Sequence, residues 1–215
     1  MSIDGSAIIY PGATLGENAI VEPFAIVGIQ DRFHPPGTVV IGRNAFIGSR
    51  CTVYNGVIAG DDFDLSDQST VFVDNVFGDQ CRIGPKAVVK HGCRFGNRIR
   101  LGSQAFVEKV EIHDDVFIGP GTVFTDDIHP VCPRRADCVG RTVVESFVSI
   151  GAMVVIAPGI RIGHHSQIYA GTVVTRDVEP YSVMAGNPGK RVKTLDQLIC
   201  SAGLLERPFI WWDAP

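Results

Sequence analysis

The chain has 215 residues, of which 45% are hydrophobic, a size and composition expected of one globular domain or two small ones. Its net charge of −4 argues against a general nucleic-acid-binding protein, which would carry a basic face. The N-terminus has no basic start followed by an apolar segment, and no run of about 18 apolar residues occurs. We therefore expect a cytoplasmic protein without a membrane span, whose cysteines stay reduced.

Large apolar residues recur every six positions between Phe77 and Leu101, and Gly follows most of them. A second column lies four places further on in each hexad and holds Cys81, Ala87, Cys93, Ile99 and Ala105. A period of six is neither the 3.6 of an α-helix nor the alternation of a single strand. It predicts a chain wound into coils of three short parallel strands, with the large residues stacked inside. The glycines are expected at bends, where they tolerate positive φ.

Taken in chain order, the hexads fall into four runs that start at Ile9, Ile41, Val71 and Val144. Polar segments at 28–40, 59–70 and 125–143 interrupt the runs, and the first and last are interpreted as loops. The register slips by one residue before Ile112. Roughly twenty-three hexads, at three per coil, predict about seven coils.

The period is lost in the C-terminal segment. The helical spacing of Leu195, Leu198 and Ile199 predicts a short amphipathic helix. We expect this segment to cover the last coil or a neighbouring subunit, because the open end of a solenoid exposes unpaired strand edges. Trp211 and Trp212 are interpreted as packing anchors.

A distinctive segment at 150–192 reads IGAMVVIAPGIRIGHHSQIYAGTVVTRDVEPYSVMAGNPGKRV, and its most specific part is the closing VTRDV at 174–178 with VMAGNPGK at 183–190. With the hexads and the loop at 126–142, it resembles the hexapeptide-repeat acyltransferases, and the resemblance covers about residues 9–193. It implies an all-β fold, a left-handed parallel β-helix over 1–193, followed by a C-terminal helix or tail over 194–215. It also implies a homotrimer that transfers an acyl group, usually acetyl, from coenzyme A to a hydroxyl or an amine, in clefts between neighbouring prisms.

Acyl transfer from a thioester requires a base for the incoming nucleophile and donors for the tetrahedral oxyanion. His129 is the first candidate base because it opens the long loop and precedes Pro130. This arrangement is similar to the galactoside and maltose acetyltransferases, whose catalytic histidine precedes a proline in the corresponding loop. Asp126 and Asp127 are expected to orient the ring or to bind a cationic acceptor amine.

His91 is the second candidate base, in the segment VVKHGCRFGNR. This segment resembles the surroundings of the catalytic histidine in lipid A-type and bacillosamine-type acyltransferases, although Gly92 stands where that pattern has Asp. His34, in the first loop, is expected to contact the substrate. The other three histidines are expected at the surface: His113, His164 and His165.

The resemblance also implies a coenzyme A groove lined by small residues of the late coils and by basic residues near the C-terminal turn. The matching residues are Ala152, Ala170, Thr175, Arg176, Lys190 and Arg191. The chemistry agrees, because extended pantetheine fits along small side chains and phosphates bind guanidinium or ammonium groups.

The cysteines leave two interpretations open. Cys51, Cys81 and Cys93 occupy the small-residue column and are expected to be buried filler. His129, Cys132 and Cys138 could bind zinc with a fourth ligand from elsewhere, and a disulfide between the two cysteines is a less favoured alternative. Their spacing is not that of a recognised zinc motif and a catalytic His129 could not also be a ligand, so no metal is assigned to the predicted site.

The sequence therefore predicts an acetyl-CoA-dependent acetyltransferase whose acceptor is a small carbohydrate, with the amino group of a nucleotide-linked amino sugar as the first choice. The segment EIHDDVFIGPGTVFTDD at 111–127 is similar to the N-acetyltransferases of 3-amino sugars. It continues as FTDD where that branch has FTN, which leaves O-acetylation of a sugar hydroxyl open. A non-catalytic assembly subunit is a further alternative. A γ-type carbonic anhydrase is disfavoured because the chain has no His-x4-His pair.

Overall fold

The computed structural model describes residues 1–129 and 131–213, and it is a three-sided prism built from short parallel strands. Each side of the prism is one sheet, and successive strands along the chain belong to successive sheets. The winding is that of a left-handed parallel β-helix, as the hexads and the resemblance predict.

Sheet A has eleven strands: β1 (Ser2–Ile3), β4 (Ile20–Val21), β7 (Phe46–Ile47), β10 (Asp64–Leu65), β13 (Arg82–Ile83), β16 (Arg100–Leu101), β19 (Phe117–Ile118), β22 (Ser149–Ile150), β25 (Gln167–Ile168), β27 (Ser182–Ala185) and β28 (Lys190–Thr194). Sheet B has nine: β2 (Ile8–Ile9), β5 (Ile26–Ile29), β8 (Thr52–Tyr54), β11 (Thr70–Val71), β14 (Val88–Val89), β17 (Phe106–Val107), β20 (Val123–Phe124), β23 (Val155–Ile156) and β26 (Val173–Val174). Sheet C has eight: β3 (Ala13–Leu15), β6 (Val39–Ile41), β9 (Ile58–Ala59), β12 (Val76–Phe77), β15 (Arg94–Phe95), β18 (Val110–Ile112), β21 (Thr142–Val144) and β24 (Arg161–Ile162).

The hexad residues fill the interior of the prism, as predicted. In most two-residue strands the second residue is buried and the first faces outward. Inside the prism, equivalent positions of successive coils lie directly above one another, so that Phe77 pairs with Phe95 and their rings stack at 4.6 Å. Cys51, Cys81 and Cys93 are fully buried free thiols, which confirms that they are core filler.

The number of coils is larger than predicted. Sheet A contains one antiparallel strand, β28, and the other ten are the rungs of about ten coils rather than seven. The winding already begins at Ser2, and the segment 59–70, interpreted as a break, is a regular part of it. Phe63 and Leu65 are fully buried there, between aspartates that lie at the surface or half-buried. The outward-facing aspartates make this part of the sequence look like a polar loop, so its hexads were not recognised.

The predicted register slip is confirmed. Phe95 pairs with Ile112, which is one residue closer in sequence than the usual separation between rungs, such as Phe77 with Phe95. Lys109 absorbs the shortened corner with φ of 51°.

At most positions the glycine that follows a core residue has a different role from the predicted one. Positive φ falls two residues later, on residues such as Gln80 (58°) and Arg98 (57°). A Cβ atom on Gly78 would lie 2.5 Å from Oδ1 of Asn97 and 2.7 Å from the carbonyl oxygen of Gly96, both in the next coil. Glycine is therefore needed at this position for close stacking of the coils and not for a left-handed backbone conformation.

Two segments leave the winding at the same corner, between sheets B and C. The first connects β5 to β6, and the second connects β20 to β21 and contains the helix α1 (Arg135–Cys138). Both were predicted as loops.

The C-terminal segment contains no α-helix among the described residues, contrary to the predicted amphipathic helix. It has two 3₁₀ turns, Leu195–Gln197 and Ile210–Asp213. Trp212 packs against Phe209 and a small cluster with Val183, as predicted for an anchor, whereas the side chain of Trp211 lies outside the described residues. No helix in the described part of the chain is long and apolar enough to cross a membrane.

Candidate active site

Three chemically distinctive segments meet at the corner between sheets B and C. His34 follows β5, His91 follows β14, and Asp126 follows β20, so each leaves the same sheet at the same edge. Because the coils stack in register, side chains that are far apart in sequence come together along this corner. The sequence identified all three residues separately but not their proximity.

His34 forms a carboxylate–imidazole pair with Asp31. The distance from His34 Nδ1 to Asp31 Oδ1 is 2.8 Å, and both side chains are partly buried. The hydrogen bond from His34 and one from the Phe33 backbone N–H lower the pKa of Asp31. Asn55 fixes the loop, because its Oδ1 accepts the Asp31 N–H at 2.9 Å and its Nδ2 donates to the Pro35 carbonyl at 3.0 Å.

Asp31 was missed in the sequence. The available signal was the spacing of Asp31 and His34, three residues apart in a loop, which is short enough for an ion pair. An Asp that accepts from Nδ1 leaves Nε2 of the imidazole as the proton acceptor.

His91 lies beside this pair. Its ring centroid is 5.3 Å from that of His34 and 6.0 Å from that of Phe72, which it meets edge-on. Its Nδ1 is buried and has no hydrogen-bond partner among the described residues, and its Nε2 is 3.9 Å from Oε1 of Glu108. Burial lowers the pKa of His91, and the positive charge of Lys90 lowers it further. A histidine with a lowered pKa is neutral at pH 7 and can accept a proton.

A cavity of about 540 Å³ opens next to His91. It is lined by three carboxylates, two cations and an imidazole: Asp74, Glu108, Asp126, Lys109, Arg141 and His91. Arg141 connects two parts of the lining, because its Nη1 donates a hydrogen bond to the carbonyl of Gly92 at 3.1 Å. Asp126 is 7% exposed, so its carboxylate belongs to the floor of the cavity and not to the surface.

Aromatic rings support the histidine from behind. Tyr54 and Phe72 occupy the same position in successive coils and stack at 4.9 Å with an interplanar angle of 6°. Nζ of Lys90 lies 4.3 Å from the Phe72 centroid, so this cation is held beside His91 by a cation–π contact.

His129, the first candidate from the sequence, lies elsewhere in the loop. Its side chain is exposed and does not line the cavity, and its backbone N–H donates to Asp127 Oδ1 at 2.8 Å. The neighbouring Pro130 lies outside the described residues. Asp127 thus caps the loop at His129, whereas Asp126 faces His91.

The residues predicted for coenzyme A fall into two groups. Ala152 and Ala170 occupy successive coils at the corner between sheets A and B, where the Gly171 N–H donates to the Ala152 carbonyl at 2.9 Å. Arg176, Lys190 and Arg191 line a cavity of about 460 Å³ near the end of the winding, with Asp177, Val178, Glu179, Ser182 and Met184. Thr175 is exposed next to Arg176 but is not part of this lining.

The possible zinc ligands in the loop do not form a recognisable site. No group of three or more His, Cys, Asp or Glu side chains within residues 1–129 and 131–213 could hold a metal ion.

Sequence comparisons match only part of the chain. The family model for the hexapeptide repeat of succinyl-transferase matches residues 38–66 and 141–176. A chloramphenicol acetyltransferase from Klebsiella aerogenes is 46% identical over 54 residues, which are 25% of this chain and 26% of that protein. A 2,3,4,5-tetrahydropyridine-2,6-dicarboxylate N-acetyltransferase from Brevibacillus brevis is 40% identical over 80 residues, 37% of this chain and 31% of that protein. The matches therefore span only about a third or less of these relatives.

Structural similarity extends over most of the chain. A UDP-N-acetylglucosamine acyltransferase from Campylobacter jejuni superposes with a TM-score of 0.64 at 16% identity, over 90% of this chain and 75% of that one. The corresponding enzyme from Bacteroides fragilis gives a TM-score of 0.60 at 19% identity, over 89% and 74%. At these identities the likeness establishes the fold. The repeats, the winding and these matches together confirm the predicted resemblance to hexapeptide-repeat proteins at the level of the fold.

Proposed function

We propose that this protein is an acetyl-CoA-dependent acetyltransferase whose acceptor is the amino group of a nucleotide-linked amino sugar. The observation that carries the proposal is the neutral imidazole of His91 in a cavity with three carboxylates, beside the Asp31–His34 pair. The sequence relatives support the same chemistry, because the proteins named above are acetyltransferases.

In the proposed reaction His91 is the general base. The acceptor amine attacks the thioester carbonyl carbon in its unprotonated form, and its proton passes to Nε2 of His91 as the carbon–nitrogen bond forms. The tetrahedral intermediate then collapses with cleavage of the carbon–sulfur bond, and the imidazolium returns the proton to the departing sulfur. The pKa of His91, lowered by burial, suits a group that must begin the reaction without a proton.

The carboxylates of the cavity favour an amine over a hydroxyl. Asp74, Glu108 and Asp126 outnumber the two cations of the lining, so the cavity attracts a protonated amine, which loses one proton to water before the free amine attacks. A neutral hydroxyl gains much less from the same charges. O-acetylation of a sugar remains the alternative for this proposal, because the FTDD segment departs from the amino-sugar pattern.

Coenzyme A is assigned to the residues that the resemblance identifies. Arg176, Lys190 and Arg191 converge on one cavity and offer cationic donors to phosphate groups. Ala152 and Ala170 provide a wall of small side chains for the pantetheine arm. The coenzyme supplies the activated acetyl group.

A homotrimer is proposed as the active form, and the outward face of sheet B supports it. The outward residues of its strands are Ile8, Ile26, Thr52, Thr70, Val88, Phe106, Val123, Val155 and Val173. None of them is charged, whereas sheets A and C carry outward-facing charged residues such as Arg82 and Glu111. An uncharged face along the whole column is suited to contact with other copies of the chain.

The test is release of free thiol from acetyl-CoA with a panel of amino sugars, nucleotide-linked amino sugars and their hydroxyl counterparts. We expect release with an amine acceptor and a decrease in kcat of about 10²- to 10⁴-fold for His91→Ala, the usual contribution of a general base. His129→Ala serves as the matched control and should retain most of the rate. Full activity of His91→Ala together with an inactive His129→Ala would transfer the role to the loop histidine.

Binding without turnover separates the enzyme from an assembly subunit. Coenzyme A should raise the melting temperature of the wild-type protein, and Arg176→Gln with Arg191→Gln should abolish that increase. An unchanged melting temperature, with no thiol release for any acceptor, would contradict an acetyltransferase.

A further inference from the structure

A second cavity, of about 750 Å³, lies on sheet A near its corner with sheet C, on a different face from His91. Its floor is formed by outward residues of β13, β16 and β19, namely Arg82, Arg100 and Phe117. The C-terminal tail folds back to form one wall with Phe209 and Trp212. Nothing in the proposed acetyl transfer uses this cavity.

Arg82 and Arg100 are direct neighbours across two adjacent strands. Neither forms a hydrogen bond or an ion pair with another residue in the described part of the chain. Asp64 lies opposite Arg82 on the other side but is not within ion-pairing distance. Like charges directly opposite each other in a sheet are destabilising, so this pair costs folding free energy unless an anion lies between them.

The third arginine of the cavity, Arg98, differs from the other two because its guanidinium has an ion-pair partner. Arg98 forms a two-pronged ion pair with Asp115, with Nε to Oδ1 and Nη2 to Oδ2 distances of 2.7 Å each, and these contacts raise its pKa. Its charge is therefore compensated within the protein. Asp62 also lines the cavity, so three arginines against two carboxylates leave one excess positive charge, and the two arginines without an ion pair are Arg82 and Arg100.

The wall beside the arginines is aromatic. Phe147 and Trp212 approach with ring centroids 6.4 Å apart, and Phe209 stacks on Trp212 at 4.2 Å. Phe117 is 45% exposed on the cavity floor next to Arg100. Guanidinium groups bind phosphate in a planar, two-pronged geometry, and exposed aromatic rings stack on planar bases.

We propose that this cavity binds a nucleotide, with the phosphates between Arg82 and Arg100 and the base against the aromatic wall formed by Phe117, Phe147 and Trp212. The site lies on sheet A, whereas the histidine cavity lies at the corner between sheets B and C, so it is separate from the cavity proposed for the nucleotide-linked acceptor.

The experiment titrates the full chain with UDP, UMP and inorganic pyrophosphate, and follows tryptophan fluorescence and calorimetric heat. A uracil nucleotide is chosen because it lacks the adenine of coenzyme A. UDP should bind and change the fluorescence of Trp212. Arg82→Gln with Arg100→Gln should raise the Kd by about tenfold or more, because two charge-assisted phosphate contacts are lost. Arg94→Gln, an outward arginine of sheet C, is the matched control and should leave the Kd unchanged.

Further arms test the parts of the site separately. Trp212→Ala should weaken UDP until it binds no better than pyrophosphate. If pyrophosphate binds the wild type as tightly as UDP, the aromatic wall does not hold a base and the proposal is wrong. If the Arg82 and Arg100 variant keeps UDP binding, the nucleotide binds elsewhere, at the C-terminal cavity where Arg176→Gln with Arg191→Gln removes it or at the histidine cavity where that variant keeps it too, and the proposal is also wrong.

The melting temperature of Arg82→Gln with Arg100→Gln, measured without ligand, is a separate test. Removal of two opposed positive charges should leave the melting temperature equal to or above that of the wild type. A lower melting temperature would show that the arginines stabilise the fold, and would overturn their assignment as an anion site. Failure of acetyl transfer would not affect any of these measurements.

Discussion

His91 is kept neutral by its surroundings and not by a single contact. Burial is the largest cause of its lowered pKa, and the charge of Lys90 and the neighbouring His34 add to it, while Asp31 and Asp126 oppose it. The balance favours the neutral ring, although Glu108 lies 3.9 Å from Nε2. A neutral base next to acidic side chains is useful for an amine acceptor. The carboxylates attract the ammonium form, which loses one proton to water, and the imidazole remains able to accept the proton released when the free amine attacks.

The first prediction concerns the pH dependence of the reaction. Because the pKa of His91 lies below its usual 6.5, kcat/KM for thiol release should fall only when the pH drops below 6.5. Lys90→Gln removes one of the charges that lower the pKa, so the acidic limb should move to higher pH. Lys86→Gln, an exposed lysine on another corner, is the control.

The same shift affects stability in a defined direction. The imidazole of His91 becomes protonated at a higher pH in the unfolded chain than in the folded one, because its pKa is lowered only in the folded state. Protonation therefore favours the unfolded chain, and the free energy of unfolding falls as the pH drops below 6.5. An acidic limb that does not move in Lys90→Gln would argue against His91 as the titrating base.

The second prediction concerns the cysteines. Burial raises the pKa of Cys51, Cys81 and Cys93 to about 11, so at pH 8 only about one thiol in a thousand is ionised. Three of the six thiols should therefore resist a disulfide reagent in the native protein and react after unfolding in denaturant. Cys93→Ala should reduce the slow class by one, and rapid reaction of all six thiols in the native protein would contradict the buried column.

At the residue scale, sequence reasoning found His91, His34 and Asp126 because histidines and a loop-flanking acid are visible by type. It ranked His91 second to His129, and the proposed function reverses that order because the side chain of His129 is exposed and does not line the cavity. Asp31 was missed because its role depends on contacts with His34 and Asn55 that no local pattern encodes. The arginine pair on sheet A was missed because its members are neighbours only after one full coil.

At the element scale, the corners of the prism hold the coils at a fixed spacing. At the corner between sheets C and A, side-chain Oδ1 atoms accept the backbone N–H of the preceding coil at 2.8–2.9 Å, in the pairs Asp61 with Arg43, Asp79 with Asp61, Asn97 with Asp79 and Asp114 with Asn97. This ladder satisfies backbone donors that the short strands leave unpaired. It also occupies the space beside the glycines, which is why no Cβ fits there.

The third prediction follows from that crowding. Gly78→Ala places a Cβ against Oδ1 of Asn97 and the carbonyl oxygen of Gly96, so it should lower the free energy of unfolding by about 1–3 kcal/mol, as overpacking does. Gly5→Ala is the control, because a Cβ there has nothing within 4 Å and should change stability by little. Denaturant unfolding measures both variants. An equal stability for Gly78→Ala and Gly5→Ala would remove the packing explanation.

The fold itself was predictable from the sequence where the winding is strict. The hexads from Val71 to Val107 and from Val144 to Val174 correspond to regular coils. Prediction failed at 59–70, because the outward positions of a strand pair tolerate any polar residue and four aspartates mask the buried Phe63 and Leu65. It failed again in the tail, where Leu195 and Leu198 pack on the last coil from a 3₁₀ turn and do not need a helix to do so.

At the scale of the whole molecule, the two groups of proposed site residues flank the same sheet. His91 and Asp126 lie at the corner between sheets B and C, and Ala152 and Ala170 lie at the corner between sheets A and B. If the uncharged face of sheet B points to a three-fold axis, the B–C corner of one prism, with His91, faces the A–B corner of its neighbour, with Ala152 and Ala170. Symmetric contact would then complete three identical clefts, each with a histidine from one subunit and a coenzyme wall from the next.

The last prediction tests this arrangement. Phe106→Asp introduces a charge in the middle of the outward column of sheet B, where three copies would bring three like charges together, so the assembly should dissociate to monomers in sedimentation velocity. The rate of thiol release should fall when the trimer dissociates, because each cleft loses one of its two walls. Circular dichroism should show that the coils remain folded. Ile20→Asp, an exposed outward position on sheet A, carries the same change and should remain trimeric and active. A trimeric Phe106→Asp, or a monomeric Ile20→Asp, would place the subunit contact on another face of the prism and separate the histidine corner from the coenzyme wall.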